Sequence, residues 1–103
     1  MVERVTTLPL RALADRCGLS IGAACTPQLI ETDPRYAETL ASEFNTLVAE
    51  NCMKFAALQP ARGQYSFADA DALAAFARAH AMRLRGHTLV WHHAVPAGSA
   101  PVG

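Results

Sequence analysis

An α/β fold with a parallel sheet follows from three features of the sequence. Short apolar runs alternate with stretches of 3.6-residue periodicity, proline and glycine mark the junctions, and polar side chains gather where the strand patterns end. Strand, helix, strand, helix, strand at this spacing argues for right-handed βαβ units. A chain of 103 residues has room for about three such strands.

Each element has its own signal. From Pro9 to Cys17 the residues Leu10, Leu13, Ala14 and Cys17 fall at i, i+3, i+4 and i+7, a helical stripe closed by Gly18. Leu19 to Cys25 reads as a first buried strand. Asp33-Pro34 starts a helix, with Asp33 as N-cap and Pro34 at the first helical position. Ala37, Leu40, Ala41 and Phe44 are its buried stripe. Thr46 to Ala49 is a second strand, which delivers Glu50 and Asn51 to its C-terminal end. Cys52 to Phe67 is a long excursion with a helical turn around Met53 to Leu58, broken at Pro60 and Gly63. Asp69 to His80 resumes the helical pattern through Leu73, Phe76, Ala77 and His80, and Arg83 to Val90 is a third strand.

The residues that carry chemistry sit at the ends of the second and third strands. Alternation along a strand puts Arg85, His87, Leu89 and Trp91 on one face and Gly86, Thr88 and Val90 on the other. His87 and Trp91 would therefore be neighbours. A pyranose offers an apolar C–H face, against which an indole can lie, and a ring of hydroxyls that both donate and accept. Glu50 supplies acceptors, Asn51 both kinds of group, and Lys54 three donors. Together they suit a neutral polyol. Taken singly, each residue has a plainer reading: a packing tryptophan, a satisfied core histidine, solvated loop polars.

Three ordered blocks decide between the readings. Glu50-Asn51-Cys52-Met53-Lys54-Phe55, then Pro60-Ala61-Arg62-Gly63-Gln64-Tyr65-Ser66-Phe67-Ala68-Asp69-Ala70-Asp71, then Met82-Arg83-Leu84-Arg85-Gly86-His87-Thr88-Leu89-Val90-Trp91-His92 closely resemble the family ten glycoside hydrolases. These are endo-1,4-β-xylanases built on a (β/α)8 TIM barrel. The resemblance runs from about Leu10 to Pro96 and implies that Glu50, Asn51, Lys54, His87 and Trp91 line the glycone subsites for xylan or xylo-oligosaccharides. It implies a retaining double displacement, with a glutamic acid protonating the leaving oxygen and a second glutamate attacking the anomeric carbon about 5 to 5.5 Å away. No cofactor is required. The family's two catalytic glutamates lie in an Asn-Glu block after the fourth strand and a Thr-Glu-x-Asp block on the seventh. Neither block occurs here, so no catalytic residue is assigned and the chain alone is expected to be inactive.

Length agrees, because a β/α barrel takes about 250 residues. Residues 1–96 read as the first βα units of an incomplete barrel domain, with 97–103 as an unstructured tail. The expected partner is then the missing C-terminal part of the barrel, since open sheet edges are templates for further pairing. Two other functions stay open: a noncatalytic saccharide-binding remnant and an interaction fragment that completes a split barrel.

Composition sets limits. Nine basic and nine acidic residues balance, which favours neither nucleic acid nor an anionic membrane surface as partner. No run approaches the roughly 20 apolar residues of a membrane span. Cys17, Cys25 and Cys52 are odd in number and lack metal-site spacing, so they read as small buried hydrophobes. His92 and His93 would diverge on a strand, so no metal site is expected with His87. Secretion is usual for the family, yet Glu3 and Arg4 precede no apolar run of signal-peptide type, and location stays unassigned.

Departures from the family pattern carry expectations too. Phe55 stands where an indole is usual, Cys52 replaces a polar residue and packs, and His80-Ala81 replaces an Asn-Gly helix end. A left-handed backbone at Ala81 would cost on the order of 1 kcal/mol.

Overall fold

The computed structural model describes residues 8–96, so the expected tail, 97–103, lies outside the described residues, as do residues 1–7. The order is α1 (Leu10–Cys17), β1 (Gly22–Cys25), α2 (Pro27–Thr32), α3 (Pro34–Glu43), β2 (Thr46–Ala49), α4 (Phe55–Leu58), α5 (Ala68–Ala79) and β3 (Arg83–Arg85), followed by a 3-10 turn at His92–Ala94. The three strands form one parallel sheet with β2 in the centre.

Strand alternation gives the sheet two unlike faces. Cys25, Leu47 and Ala49 are buried against Leu40 of α3 and Leu73 and Ala77 of α5, with Met82 completing the core. Leu47, Leu73 and Cys25 are the largest side chains with no exposure at all. The intervening row places Ala24, Val48 and Arg85 side by side, and Ala24 and Arg85 are exposed. Helices thus cover one face only.

Asn45, immediately before β2, ties the strand starts together. Its Oδ1 accepts the Ile21 N–H at 2.8 Å, and its Nδ2 donates to the Leu19 carbonyl at 2.9 Å and to Asp15 Oδ1 at 3.0 Å. Its own N–H donates to Ile21 at 3.0 Å, and its carbonyl accepts from Arg83 at 2.9 Å. This explains why the first strand is shorter than expected. Residues 19 and 21 are held by the Asn45 side chain, with the Ile21 carbonyl also accepting the Asn45 and Thr46 N–H groups, so the paired register of β1 begins at Gly22 and Leu19 is 63% exposed.

Two helices end in the same six-to-one turn. In α1, Leu19 N–H reaches Ala14 O at 2.8 Å and Gly18 takes φ 68°. In α5, Met82 N–H reaches Ala77 O at 2.8 Å and Ala81 takes φ 52°. The turn demands a left-handed residue at the same place in each, and only the first supplies glycine. The expectation at Ala81 is met, and its carbonyl accepts from Arg11 Nη2 at 2.9 Å.

At α3, Asp33 Oδ1 accepts from the N–H groups of Arg35 (3.1 Å) and Tyr36 (3.3 Å), as the N-cap reading requires. Several expectations need correcting. Helix α2 was not foreseen. The third strand stops at Arg85 rather than Val90, because its last ladder partner is Val48 and β2 turns away at Glu50. Cys17 is exposed rather than buried, and in α1 only Ala14 is buried. No helix among the described residues is long and apolar enough to cross a membrane.

Two substitutions test this account with opposite signs. Asn45→Ala removes four side-chain hydrogen bonds, the fourth being the one that Thr46 Oγ1 donates to Asn45 Oδ1 at 3.0 Å, and at about 0.5–1 kcal/mol each should lower stability by about 2–4 kcal/mol. Ala81→Gly relieves the left-handed alanine and should raise it by up to about 1 kcal/mol. The urea midpoint of the 103-residue chain reads both.

Candidate functional site

The end of the β1–β2 ladder fixes where the polar cluster starts. Glu50 N–H donates to Cys25 O at 2.9 Å, one step beyond the last paired residues Cys25 and Ala49. The chain then turns, with Lys54 N–H on Asn51 O at 3.0 Å, and the Lys54 carbonyl receives the N–H groups of Ala57 and Leu58 at the start of α4. Backbone bonds therefore set Asn51 and Lys54 three residues apart on one turn, and their side chains meet. Lys54 Nζ donates to Asn51 Oδ1 at 2.7 Å. The same ammonium lies 4.7 Å from the centre of the Trp91 ring, within cation–π range.

The third-strand side of the site is built differently from the sequence expectation. Strand alternation cannot be what pairs His87 with Trp91, because the strand has ended before either. The His87–Thr88 peptide bond is cis. Nevertheless Lys54, His87, Thr88 and Trp91 line one hollow of about 290 Å3. Thr88 joins the site although alternation would have put it on the far side. Trp91 is 41% exposed, with the His93 ring edge-on at 5.0 Å. Its carbonyl accepts the Ala94 N–H at 2.9 Å, which closes the 3-10 turn. In that turn the His92 and His93 rings lie 3.8 Å apart rather than diverging. Among the described residues no group of three or more His, Cys, Asp or Glu could hold a metal ion.

Of the five residues singled out from the sequence, Lys54 touches both Asn51 and Trp91, and His87 shares the hollow that Lys54 and Trp91 line, while Asn51 does not line it. Glu50 is exposed at the top of β2 and lines neither this hollow nor the larger one beside it. Its carboxylate acts on its surroundings by charge instead. The larger hollow, about 620 Å3, shares His87 and Thr88 and continues to Phe55, Tyr65, Phe67 and Leu89. Sequence reasoning passed over Tyr65 and Phe67, for which the only local signal was an i, i+2 aromatic pair after Gly63.

Below the cluster lie two thiols. Burial pushes the Cys25 thiol from 9.0 up to about 11, assisted by the neighbouring Cys52 thiol and the Glu50 carboxylate. Burial also raises Cys52, with help from Asp69. Tyr36, which accepts the Thr26 N–H at 3.3 Å, is raised by burial, partly offset by that bond. A raised thiol is a neutral thiol, so the cluster stands on an uncharged, packed base.

The family model for glycosyl hydrolase family 10 matches residues 9–99. The chain is 51% identical over 77 residues to exoglucanase XynX of Acetivibrio thermocellus, covering 74% of this chain and 7% of that one. It is 46% identical over 91 residues to a thermostable celloxylanase of Thermoclostridium stercorarium, covering 88% and 23%. Among solved structures, xylanase 10B from Thermotoga petrophila in complex with xylobiose superposes with a TM-score of 0.82 at 37% identity, over 87% of this chain and 28% of that chain. The chain thus spans 7% and 23% of the length of these two curated relatives. Its parallel sheet and helices are the first βα units of a (β/α)8 barrel.

The thiol base predicts an alkaline weakness. An unfolded chain ionises Cys25 near its ordinary value of 9.0, while the folded chain holds the proton to about 11. Across that window the unfolded state binds fewer protons, so stability is full below about pH 9 and falls as the pH rises towards 11. Cys25→Ala should flatten the decline, read as the urea midpoint against pH. At about pH 8, iodoacetamide should modify exposed Cys17 well before Cys25.

Proposed function

Because this chain belongs to glycosyl hydrolase family 10, we propose that it forms the glycone-side wall of an endo-1,4-β-xylanase, a retaining hydrolase of β-1,4-xylosidic bonds in xylan. One observation carries the reading: the Lys54 ammonium is held between Asn51 Oδ1 and the face of Trp91. That is an indole surface beside a fixed donor and an amide, the set a xylose unit needs on its apolar face and its hydroxyls. An ammonium has three N–H groups and Asn51 takes one, which leaves donors for a ligand.

The roles divide by chemistry. Trp91 packs against the C–H face of the sugar. Lys54 donates, the Asn51 amide both donates and accepts, and Glu50 offers acceptors from the top of β2. His87 lines the same hollow as Lys54 and Trp91. None of these five side chains protonates a leaving group or attacks an anomeric carbon. Their contribution is to position the saccharide and to supply binding energy that a complete site can direct into the transition state. Neither catalytic glutamate block of the family occurs in the chain, so binding without turnover is its expected behaviour alone.

Trp91 is the chain's only tryptophan, so its emission reports its own contact with ligand. Titration with xylobiose should shift and saturate that emission, while maltose should not. Lys54→Met should weaken xylobiose binding by about tenfold, or about 1.4 kcal/mol, with the far-UV circular dichroism unchanged. Unaltered Trp91 emission at saturating xylobiose would refute the assignment.

The open outer edges of β1 and β3 favour a second reading, in which the chain completes a barrel with a separate polypeptide. The 103-residue chain alone should release no xylose from xylan. Co-expression with residues from the fourth strand onwards of a family 10 relative should restore hydrolysis, and the Trp91→Ala variant should restore much less.

A further inference from the structure

We infer that Arg85 is a docking contact for the remaining βα units of a family 10 barrel, and that those units face it with a carboxylate. The inference rests on the reading in which the chain completes a barrel, and it names the chemistry of the partner surface. Strand register sets the geometry. Gly22, Thr46 and Arg83 form one row across the sheet, and Ala24, Val48 and Arg85 form the next row up. Both rows lie on the face that no helix covers, since the alternate residues Leu47, Ala49 and Leu84 pack into the core with α3 and α5. In a closed barrel the helices are outside and this face is the interior, filled by layers of side chains in which branched aliphatic residues dominate. An arginine is out of place in such a layer. It is almost never fully buried without a partner, because an unpaired charge taken out of water is strongly destabilising.

The two arginines of β3 differ in how they are satisfied. Arg83, at the foot of the sheet, donates from Nη1 to Ser20 Oγ at 3.0 Å, and the polar hollow it lines also holds Asp15 and Asn45. The Arg85 guanidinium is exposed and has no hydrogen bond or ion pair among the described residues. The ion pair recorded there joins Arg11 to Asp15, so the Glu50 carboxylate, two residues beyond Val48, does not neutralise Arg85. Its row neighbours Val48 and Ala24 carry no acceptor on their side chains. Whatever satisfies the guanidinium must therefore come from strands that close over this face. A carboxylate answers both its charge and its planar fork of donors, through two parallel hydrogen bonds. A second copy of the chain fits less well. A two-fold contact through this face would bring Arg83 and Arg85 against their own equivalents.

The test mixes the 103-residue chain with the separately purified remaining strands of a family 10 relative, and analytical ultracentrifugation reads the dissociation constant. Arg85→Met, uncharged and of comparable reach, should weaken association by about a hundredfold. It should leave the urea midpoint of the chain alone unchanged, because Arg85 is exposed there. Replacing each interior Asp and Glu of the partner in turn by Asn or Gln should find one whose loss is large against Arg85 and negligible against the Arg85→Met variant, the mark of a direct pair. Equal association of the Arg85→Met variant and the unaltered chain overturns the inference and leaves the barrel reading standing. So does a loss that no partner carboxylate shares. A dimer of the chain alone that Arg85→Met weakens assigns the face to a second copy and overturns it as well. Failure of the unaltered chain to associate overturns the barrel reading and the carboxylate contact with it.

Discussion

The six hydrogen-bonding roles of Asn45 decide where every strand begins. One amide side chain and the backbone N–H and C=O of the same residue connect α1 through Asp15, the approach to β1 through Leu19 and Ile21, and the start of β3 through Arg83. Parallel strands have no tight turn to set their register, since each crossover is long. Something else must align them, and here it is this residue at the foot of the central strand. Register then passes upward: Thr46 opposes Gly22 and Arg83, and Glu50 becomes the last residue bonded to β1.

Placement of the polar cluster is a consequence of that alignment. A one-residue slip of β2 would exchange its faces, turning Leu47 and Ala49 outward and Thr46 and Val48 towards α3 and α5. Leu47 is completely buried, so such a slip has no stable form. The close passage of β1 past β2 adds a second constraint: a Cβ at Gly22 would lie 3.0 Å from the Thr46 carbonyl oxygen. With β2 fixed, the turn after Ala49 brings Asn51 and Lys54 together by local bonds alone. The rigid core and the adaptable cluster meet at a single peptide group.

Legibility in the sequence tracked how local each cause was. Thr46–Ala49, the Asp33 cap and the left-handed Ala81 were readable because a few neighbouring residues determine them. Helix α2 has the same kind of start, Thr26-Pro27, as the helix that was recognised. Six residues give too few turns for periodicity to confirm it. The β-branched run Thr88 to Val90 misled in the other direction, since strand propensity means little without a partner to pair with. At the site, Asn51, Lys54, His87 and Trp91 were singled out by the motif blocks together, since each taken singly had a plainer reading. Thr88 was not, because its place depends on the path the chain takes after β3 ends, and Tyr65 and Phe67 were not, because only the fold brings the segment between α4 and α5 up to Gly86–Leu89.

That path has a thermodynamic meaning of its own. Among the described residues no backbone hydrogen bond anchors Gly86 to Val90, so His87 and Trp91 stand beyond the last ordered rung of the sheet. A ligand that bridges Lys54 and His87 must supply the ordering that a neighbouring strand does not. Part of its interaction energy goes into fixing those dihedral angles, and measured affinity falls short of what the contacts alone would give. The enthalpy of binding should therefore be large and opposed by entropy, the signature of a wall that finishes assembling around what it holds.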